Sequence, residues 1–562
     1  MKKSQLKSTA FCFAAFAVSA ILLTLIQRPF GLSFLAWVAY VPIILIILTN
    51  AKTSHLVLTS YLIALIYWLG NIYWMGYVTI SGWLTFCVYT AMLWPVLIIT
   101  IRAAQKYKIP LLLAVPVLIV GVENLQGFVL GGFYWRHLSH SQYANTSLIQ
   151  IADIFGAAGV SFLVALVNAL VVEFIIAYCA SKLFKWNFVF KFAVVLAAII
   201  STLYYGKCRI EQSDETFERG PIVAAVQSNL PQSVKDSGEF DVNKAYIERL
   251  IELSRAAVAD GAELVVWPET IVPSIMDKEV WHYLLDPNEN LYYHRLFSNF
   301  SRQGVYLLIG SPGGKVRRDT DGKLILDKYN SAFLYEPVGD QSPVRYSKID
   351  LVLFGEIVPF KQNAPWLYNL LMKFSPYDYD YNLTPGSQFT VFNMKSDATN
   401  EEYKFGVMIC YESTIPAIAR NFALDENGDK KVDWLVNISN DGWFVKFDNG
   451  RVEPSTELAQ HAVVSTFRAV ENRLSVLRSV NTGISCFIDP LGRVHNGYLA
   501  GNLPDKVFDR GGVEGYFTDR VIIDSRVTFF SRFGRWLDAG CAIAVLGTLI
   551  LLLLGAIIRN IR

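Results

Sequence analysis

The sequence predicts two fold classes in one chain: an α-helical membrane bundle of eight transmembrane helices, and a large α/β domain outside the bilayer. Three observations predict this. Charge is split along the chain, with thirteen Lys/Arg and three Asp/Glu in residues 1–207 but thirty-seven and forty-five in the remaining 355. Eight apolar runs approach the ~20 residues that cross a bilayer, seven of them before residue 207. Beyond it, short β-rich runs alternate with helical stretches, the pattern of buried sheet with helices outside. The whole chain is 53% hydrophobic and 17% charged, against about 25% charge in soluble domains. That excludes a disordered chain, and seven Cys are too few for a disulfide scaffold. A net charge of +2 lacks the basic excess of a nucleic-acid binder, so no nucleic-acid partner is expected.

The candidate spans are Phe11–Ile26, Leu32–Leu48, Leu56–Met75, Trp83–Ile101, Ile109–Leu130, Val160–Ala180, Phe188–Tyr205 and Ala539–Ile558. The first follows Lys2 and Lys3 and carries small residues at Ser19 and Ala20, as a signal peptide does. Six more spans follow at once, so a first transmembrane helix is expected. Orientation follows from basic residues, which collect on the cytoplasmic side. With the N-terminus inside, cytoplasmic segments carry twelve Lys/Arg, and the short outer loops carry only Arg28 and Arg136. The expected organisation is a bundle over residues 1–206, an extracytoplasmic domain over 207–538, and an eighth helix with its tail over 539–562. Glu123, Asp153 and Glu173 lie in or near the spans, where a charge is either functional or paired.

In the soluble part, Ile222–Val226, Leu264–Trp267, Val305–Gly310, Ser331–Tyr335, Lys404–Ile409 and Trp434–Ile438 read as strands, with two more near Leu477–Val480 and Ser485–Ile488. Val242–Ala259 and Glu457–Asn472 read as helices. Residues 361–386 are rich in Trp, Tyr, Phe and Leu without strand alternation. They read as a packed surface loop or as an arm at the membrane interface, where Trp and Tyr are favoured.

Metal chemistry finds no support: the seven His are scattered, without HExxH, and no CxxC is present. His137 and His140 read as loop histidines, and Asp425–Asp429 as a solvated turn. Cys410 ends a strand, where α/β domains place reactive groups, whereas Cys486 sits in the apolar run ISCFI and reads as core. A thiol nucleophile needs a lowered pKa or an adjacent base. Two further strand-end motifs offer partners: Glu269 in WPET, and Lys348 in YSKIDLVLFGEIVPF, with Glu356 eight residues on.

Together with CYES at Cys410, these motifs resemble the Glu–Lys–Cys triad of the nitrilase superfamily. Asn437–Phe444 (NISNDGWF), Phe467–Asn472 (FRAVEN) and Arg478–Ser485 (RSVNTGIS) are similar too. The seven-plus-one membrane frame, with Glu123, Gly132–Trp135, Gln150, Gly159–Phe162 and Gln227–Gln232, resembles the apolipoprotein N-acyltransferases, a membrane-embedded branch. Three departures stand out. Asp236 occupies a place where the family often has Trp, Val445-Lys446 replaces a usual Gly-Asp, and Asp425–Lys431 is an unusual insert.

The resemblance implies an αββα sandwich and acyl transfer from a membrane phospholipid to a diacylated lipoprotein, without cofactor, at the periplasmic face of a bacterial inner membrane. A monomer is expected. By this likeness Glu269 is the base, Cys410 the nucleophile and Lys348 the oxyanion stabiliser. Lys348 would also favour the thiolate. Glu356 positions Lys348 or the amine, Tyr411 and Glu412 shape the mouth, and Trp443 is an acyl-chain wall or core. Three alternatives stand beside this reading: a membrane-tethered nitrilase-type amidase, a catalytically inactive lipid- or lipoprotein-binding scaffold, and a Cys–His hydrolase using His461. The apolar neighbours of His461 (Ala459, Ala462, Val463) suggest packing instead.

Overall fold

The computed structural model describes residues 2–183, 185–232, 239–284, 286–318, 321–373, 375, 379–448 and 451–561. Asp236 and part of the 361–386 stretch lie outside the described residues. The chain divides into two compact units: Met1–Gly76, Ile80–Gln212 and Phe533–Arg562 form one, and Tyr77–Thr79 with Ser213–Arg532 the other.

The first unit is helical. Among the described residues five helices are long and apolar enough to cross a membrane: Thr53–Asn71, Ile80–Lys106, Ala157–Cys179, Trp186–Thr216 and Trp536–Arg559. Thr9–Leu25, Ser33–Ile47, Leu111–Gln126 and Thr146–Phe155 are apolar but shorter. Two of the eight expected runs are shortened for identifiable reasons. Leu32–Leu48 breaks into a 3-10 turn, Ser33–Trp37, and an α-helix, Val41–Ile47. Pro42 lacks an N–H and starts a helix more readily than it continues one. Ile109–Leu130 yields only Leu111–Gln126, because Pro110 precedes its first residue and a 3-10 turn, Val129–Gly131, follows.

Apolar side chains point outward along these helices: Phe11, Phe190, Ile543 and Leu551 are each more than half exposed. That suits hydrocarbon and not water. The Leu111–Gln126 helix packs tightly on the last one at Gly121, where a Cβ would collide with the Cys541 carbonyl. The three acidic groups are all engaged within this unit. Glu173 pairs with Lys191 at 2.8 Å. Asp153 accepts from the Tyr205 hydroxyl at 2.8 Å and Arg209 Nε at 2.9 Å. Glu123 accepts from the Leu138 N–H at 2.6 Å.

The second unit is built on two sheets. Its strands are β1 (Phe217–Gln227), β2 (Leu264–Val266), β3 (Tyr306–Arg318), β4 (Leu324–Tyr335), β5 (Gln341–Ser347), β6 (Val391–Lys395), β7 (Glu402–Ile409), β8 (Trp434–Ser439), β9 (Lys446–Asp448), β10 (Arg451–Glu453), β11 (Ser475–Val480), β12 (Cys486–Ile488), β13 (Ala500–Gly501) and β14 (Gly515–Asp524). One sheet has the order β13-β14-β1-β2-β3-β4-β5 and the other β12-β11-β8-β7-β6. β9 and β10 form a separate hairpin. Parallel pairs occupy the centres, β1–β2–β3 in one sheet and β7–β8–β11 in the other. Fully buried strands of this kind need apolar residues on both faces, as in LVV and WLVNIS.

The sheets face each other, and Ser479 on β11 donates to the carbonyls of Val226 on β1 and Val266, at 2.9 Å. Helices α1 (Phe240–Ala259) and α2 (Asn288–Ser301) cover the first sheet, burying Ile247, Leu250, Phe297 and Phe300 with Val226 and Trp267. Helices α4 (Pro416–Ala423) and α5 (Thr456–Asn472) cover the second, so the layering is αββα. The intervening helix α3 (Pro365–Met372) buries none of its residues and lies within the aromatic stretch. At one end of the sandwich, the chain leaving β2, β5, β7 and β8 converges.

Candidate active site

Glu269 follows β2 at the turn Trp267-Pro268-Glu269-Thr270, and the neighbouring strand lets it come close. Gly310 on β3 has no side chain, and a Cβ there would collide with the Pro268 carbonyl. The Glu269 carboxylate is 6% exposed. Its Oε2 accepts from the Asn440 N–H, just after β8, at 2.8 Å. Its Oε1 accepts from Asn330 Nδ2 at 2.7 Å and lies 3.5 Å from Lys348 Nζ.

Lys348 follows β5 and is 1% exposed. Its ammonium is 2.8 Å from Glu356 Oε2, nearer than to Glu269. Glu356 is held by the turn after Lys348, where its Oε2 also accepts from the Val352 N–H at 2.9 Å. Asn330, on β4, completes the arrangement by donating to Glu269 Oε1 and to Glu356 Oε1 at 2.7 and 2.8 Å. Burial opposes the charge on Lys348, but Glu356 and Glu269 outweigh it and hold the ammonium well above its ordinary pKa. So two carboxylates share one cation, and the Asn330 amide supplies the hydrogen bonds the cation does not. The sequence reading missed Asn330. Its signal was a polar residue starting an otherwise apolar strand run, NSAFLY, one place before the strand expected from Ser331.

Cys410 directly follows β7, in the left-handed region, with φ +54°. A non-glycine residue there is strained, and such strain collects at functional turns. Its carbonyl accepts from Ser413 Oγ and Asn437 Nδ2, each at 3.2 Å. Burial and the Glu269 charge push the thiol well above its ordinary pKa, while Lys348 and a hydrogen bond from Ser439 pull it down. Lys348 thus acts in the direction the sequence suggested, but it is outweighed. The balance favours the thiol over the thiolate.

Glu412 does not shape a mouth: it is 0% exposed. Its carboxylate accepts from the N–H groups of Ile409, Ile349 and Asp350 at 2.8, 2.7 and 3.1 Å, and from the Tyr346 hydroxyl. It therefore staples the turn of the cysteine to the segment carrying Lys348. Burial pushes Glu412 up to about 7, against those N–H groups and Lys348. Tyr411 and Trp443 are half-buried beside Cys410 and in the turn Asp441–Phe444. Neither is core.

His461 is also more than packing. Its Nε2 lies 3.0 Å from Ser413 Oγ, and its Nδ1 faces Asp441 and Glu457 at 3.4 and 3.3 Å. Both ring nitrogens are committed, which leaves neither to act as a base on the thiol. Asp441, Glu457 and His461 are close enough to share a cation. The Arg478 guanidinium, 3.7 Å from Asp441, already supplies positive charge there.

The profile of the apolipoprotein N-acyltransferase N-terminal domain matches residues 19–170, and that of carbon-nitrogen hydrolases matches residues 222–500. An apolipoprotein N-acyltransferase of Geobacter metallireducens is 31% identical over 451 residues, covering 79% of this chain and 75% of that one. Apolipoprotein N-acyltransferase 1 of Treponema denticola is 27% identical over 458 residues, covering 78% and 76%. Among solved structures, an amidase from Nesterenkonia sp. AN1 is 14% identical, covers 56% of this chain and 96% of its own, and has a TM-score of 0.34. By the family model that matches residues 222–500, the second unit holds a carbon-nitrogen hydrolase domain, of the nitrilase superfamily. The chain as a whole belongs to the apolipoprotein N-acyltransferase family.

Proposed function

We propose that this protein moves an acyl chain from a membrane phospholipid, through a thioester on Cys410, to the N-terminal amine of a diacylglyceryl-cysteine lipoprotein. The observation that carries the reading is the meeting of Glu269, Lys348 and Cys410 in a chain that also bears an apolar helical unit. In the first step Glu269 takes the thiol proton as the sulfur attacks the ester carbonyl. Lys348 balances the oxyanion, a donor whose loss typically costs ~10²–10³ in rate. The tetrahedral species collapses, Glu269 returns the proton to the leaving oxygen, and a lysophospholipid departs. In the second step the lipoprotein amine attacks the thioester, Glu269 accepts its proton, and the Cys410 sulfur leaves and is reprotonated. A thioester is activated relative to an amide, so the transfer runs downhill without ATP or another cofactor. Glu356 and Asn330 hold Lys348 and Glu269 in register throughout. Tyr411 and Trp443 border the acyl chain.

Both substrates are lipids, so the site opens toward a bilayer. The reading has eight crossings in a bacterial inner membrane and residues 207–538 in the periplasm, as the twelve-to-two distribution of basic residues supports. Helix α3, with Trp366 and Leu370 exposed, suits a place at the interface. The test is mass spectrometry of a lipoprotein N-terminus from cells with and without this protein. The expected result is a mass step of one acyl chain that depends on Cys410. An unchanged N-terminus would remove the proposal.

A further inference from the structure

Behind Cys410 lies a buried group of charges that the acyl-transfer steps do not use. Asp441, Glu457, His461 and Arg478 are each 2% exposed or less. They come from the turn after β8, from α5 and from β11. Ser413 has one hydroxyl hydrogen, and it goes to the Cys410 carbonyl at 3.2 Å. The same Ser413 oxygen lies 3.0 Å from His461 Nε2, so Ser413 links the histidine to that carbonyl. Nδ1 faces the carboxyls of Asp441 and Glu457 at 3.4 and 3.3 Å. These two carboxyls favour the imidazolium form of His461, which with Arg478 gives the group two cations against two carboxyls. Burial and Arg478 oppose the imidazolium, but Asp441 and Glu457 outweigh them and raise the His461 pKa.

Three arms lead from this group to the nucleophile. His461 reaches the Cys410 carbonyl through Ser413. Arg478 Nη1 donates to Asn437 Oδ1 at 2.5 Å, and Asn437 Nδ2 donates to the same carbonyl at 3.2 Å. Asp441 Oδ1 accepts from Ser439 Oγ at 2.5 Å, and Ser439 stands beside Cys410. Strand register explains the third arm, since β7 and β8 pair Ile409 with Ile438, so the next residues, Cys410 and Ser439, stand side by side.

We propose that Asp441 and His461 are positioning residues for acyl transfer: with Glu457 and Arg478 they form a buried ion quartet that holds the strained Cys410 by its carbonyl, through Ser413 and Asn437, and by its sulfur, through Ser439. The inference rests on the reading of Cys410 as the nucleophile. Ser439 has one hydrogen to give. While the sulfur is a thiol, that hydrogen serves Asp441. When the thiolate forms, the hydroxyl turns to the sulfur, and His461 and Arg478 continue to balance Asp441. The charged groups facing the sulfur are Glu269, Lys348 and Asp441. Those facing His461 are Asp441, Glu457 and Arg478.

The test follows alkylation of Cys410 by iodoacetamide in the full-length protein against pH, read by peptide mass spectrometry with the buried Cys486 as reference. Single-turnover acylation from labelled phospholipid is measured alongside. His461→Gln removes a cation, so the alkylation midpoint should rise and the rate at fixed pH should fall about tenfold, the effect of one pKa unit. Asp441→Asn removes the anion and frees Ser439 for the sulfur, so the midpoint should fall. Both variants should nonetheless acylate at least about tenfold more slowly, on the scale of a lost catalytic hydrogen bond. General loosening of the fold would move both midpoints the same way. Should His461→Gln not accumulate in the membrane, Ser413→Ala keeps every charge and cuts one arm. Its acylation should be slowed with the midpoint unmoved. Midpoints that shift together or stay put, or wild-type acylation in Ser413→Ala, overturn the proposal. A wild-type Cys410 that reacts no faster than Cys486 instead removes the nucleophile assignment itself.

Discussion

At Lys348, one ammonium balances Glu356 at 2.8 Å and Glu269 at 3.5 Å from a nearly sealed position. Lys348→Met keeps the stem and removes the charge, so single-turnover acylation of Cys410 should slow at least ~100-fold. Lys348→Arg keeps a charge but spreads it over a planar fork that cannot sit between two carboxylates the same way, so rescue should be weak. Asn330 gives the complementary prediction. Asn330→Leu leaves two carboxylates short of a donor and should slow acylation about tenfold or more, the scale of a lost buried hydrogen bond. Asn330→Asp adds a third carboxyl to the same space and should be worse in the same assay. The two residues differ in how far the sequence reveals them. Lys348, Glu269 and Cys410 each follow a strand within a distinctive motif, so chemistry and spacing mark them. Asn330 is an ordinary polar residue at a strand's edge, and its importance appears only when β4 lies between the segments bearing Glu269 and Glu356. Glu412 shows the opposite case: its motif draws attention to it, but only the fold shows that it staples backbone instead of meeting substrate.

Among elements, strand β3 sets the approach of the Glu269 turn, and Gly310 is the contact point. Gly310→Ala should displace that turn, lower stability by about 1–3 kcal/mol as overpacked sites do, and reduce acylation more than stability. Thermal unfolding and single-turnover labelling of the same preparation would show the split. A second element-level contact joins the sheets at His495, which follows β12 and faces Asp519 on β14 at 3.2 Å and Asp489 at 3.8 Å. Burial opposes its charge, yet the two carboxylates raise its pKa to about 9. The folded pKa lies above the ordinary value near 6.5, so this stabilisation is complete below about pH 6.5 and is lost as pH rises through about 9. His495→Gln should therefore cost about 1–2 kcal/mol at pH 6 and almost nothing near pH 10, by unfolding of the detergent-solubilised protein. The long apolar strands and the helices α1 and α5 are plain from their periodicity. The short or polar β5, β6 and β14, and the helices α2 and α4, are not, because tertiary pairing and not local pattern determines them.

For the whole molecule, composition separates an apolar third from a charged remainder, and the fold divides nearby, at Gln212 and Phe533. Apolar runs alone do not give the helix lengths. Among the described residues five helices are long enough to span, while Pro42 divides the second run and the fifth stops at Gln126. The basic-residue asymmetry makes a topological prediction. A reporter active only in the periplasm should be on when fused after Glu239 and silent when fused after Arg562. The reverse pattern would invert the orientation and deny the site access to lipoproteins.

The central claim is that Cys410 carries the acyl group. The direct measurement incubates the purified protein with phospholipid labelled in its acyl chains, without an acceptor, and separates the product without reductant. Wild type should take up label that hydroxylamine releases, and Cys410→Ala should take up none while remaining folded and membrane-inserted. Label of wild-type amount and hydroxylamine sensitivity on Cys410→Ala would contradict the account.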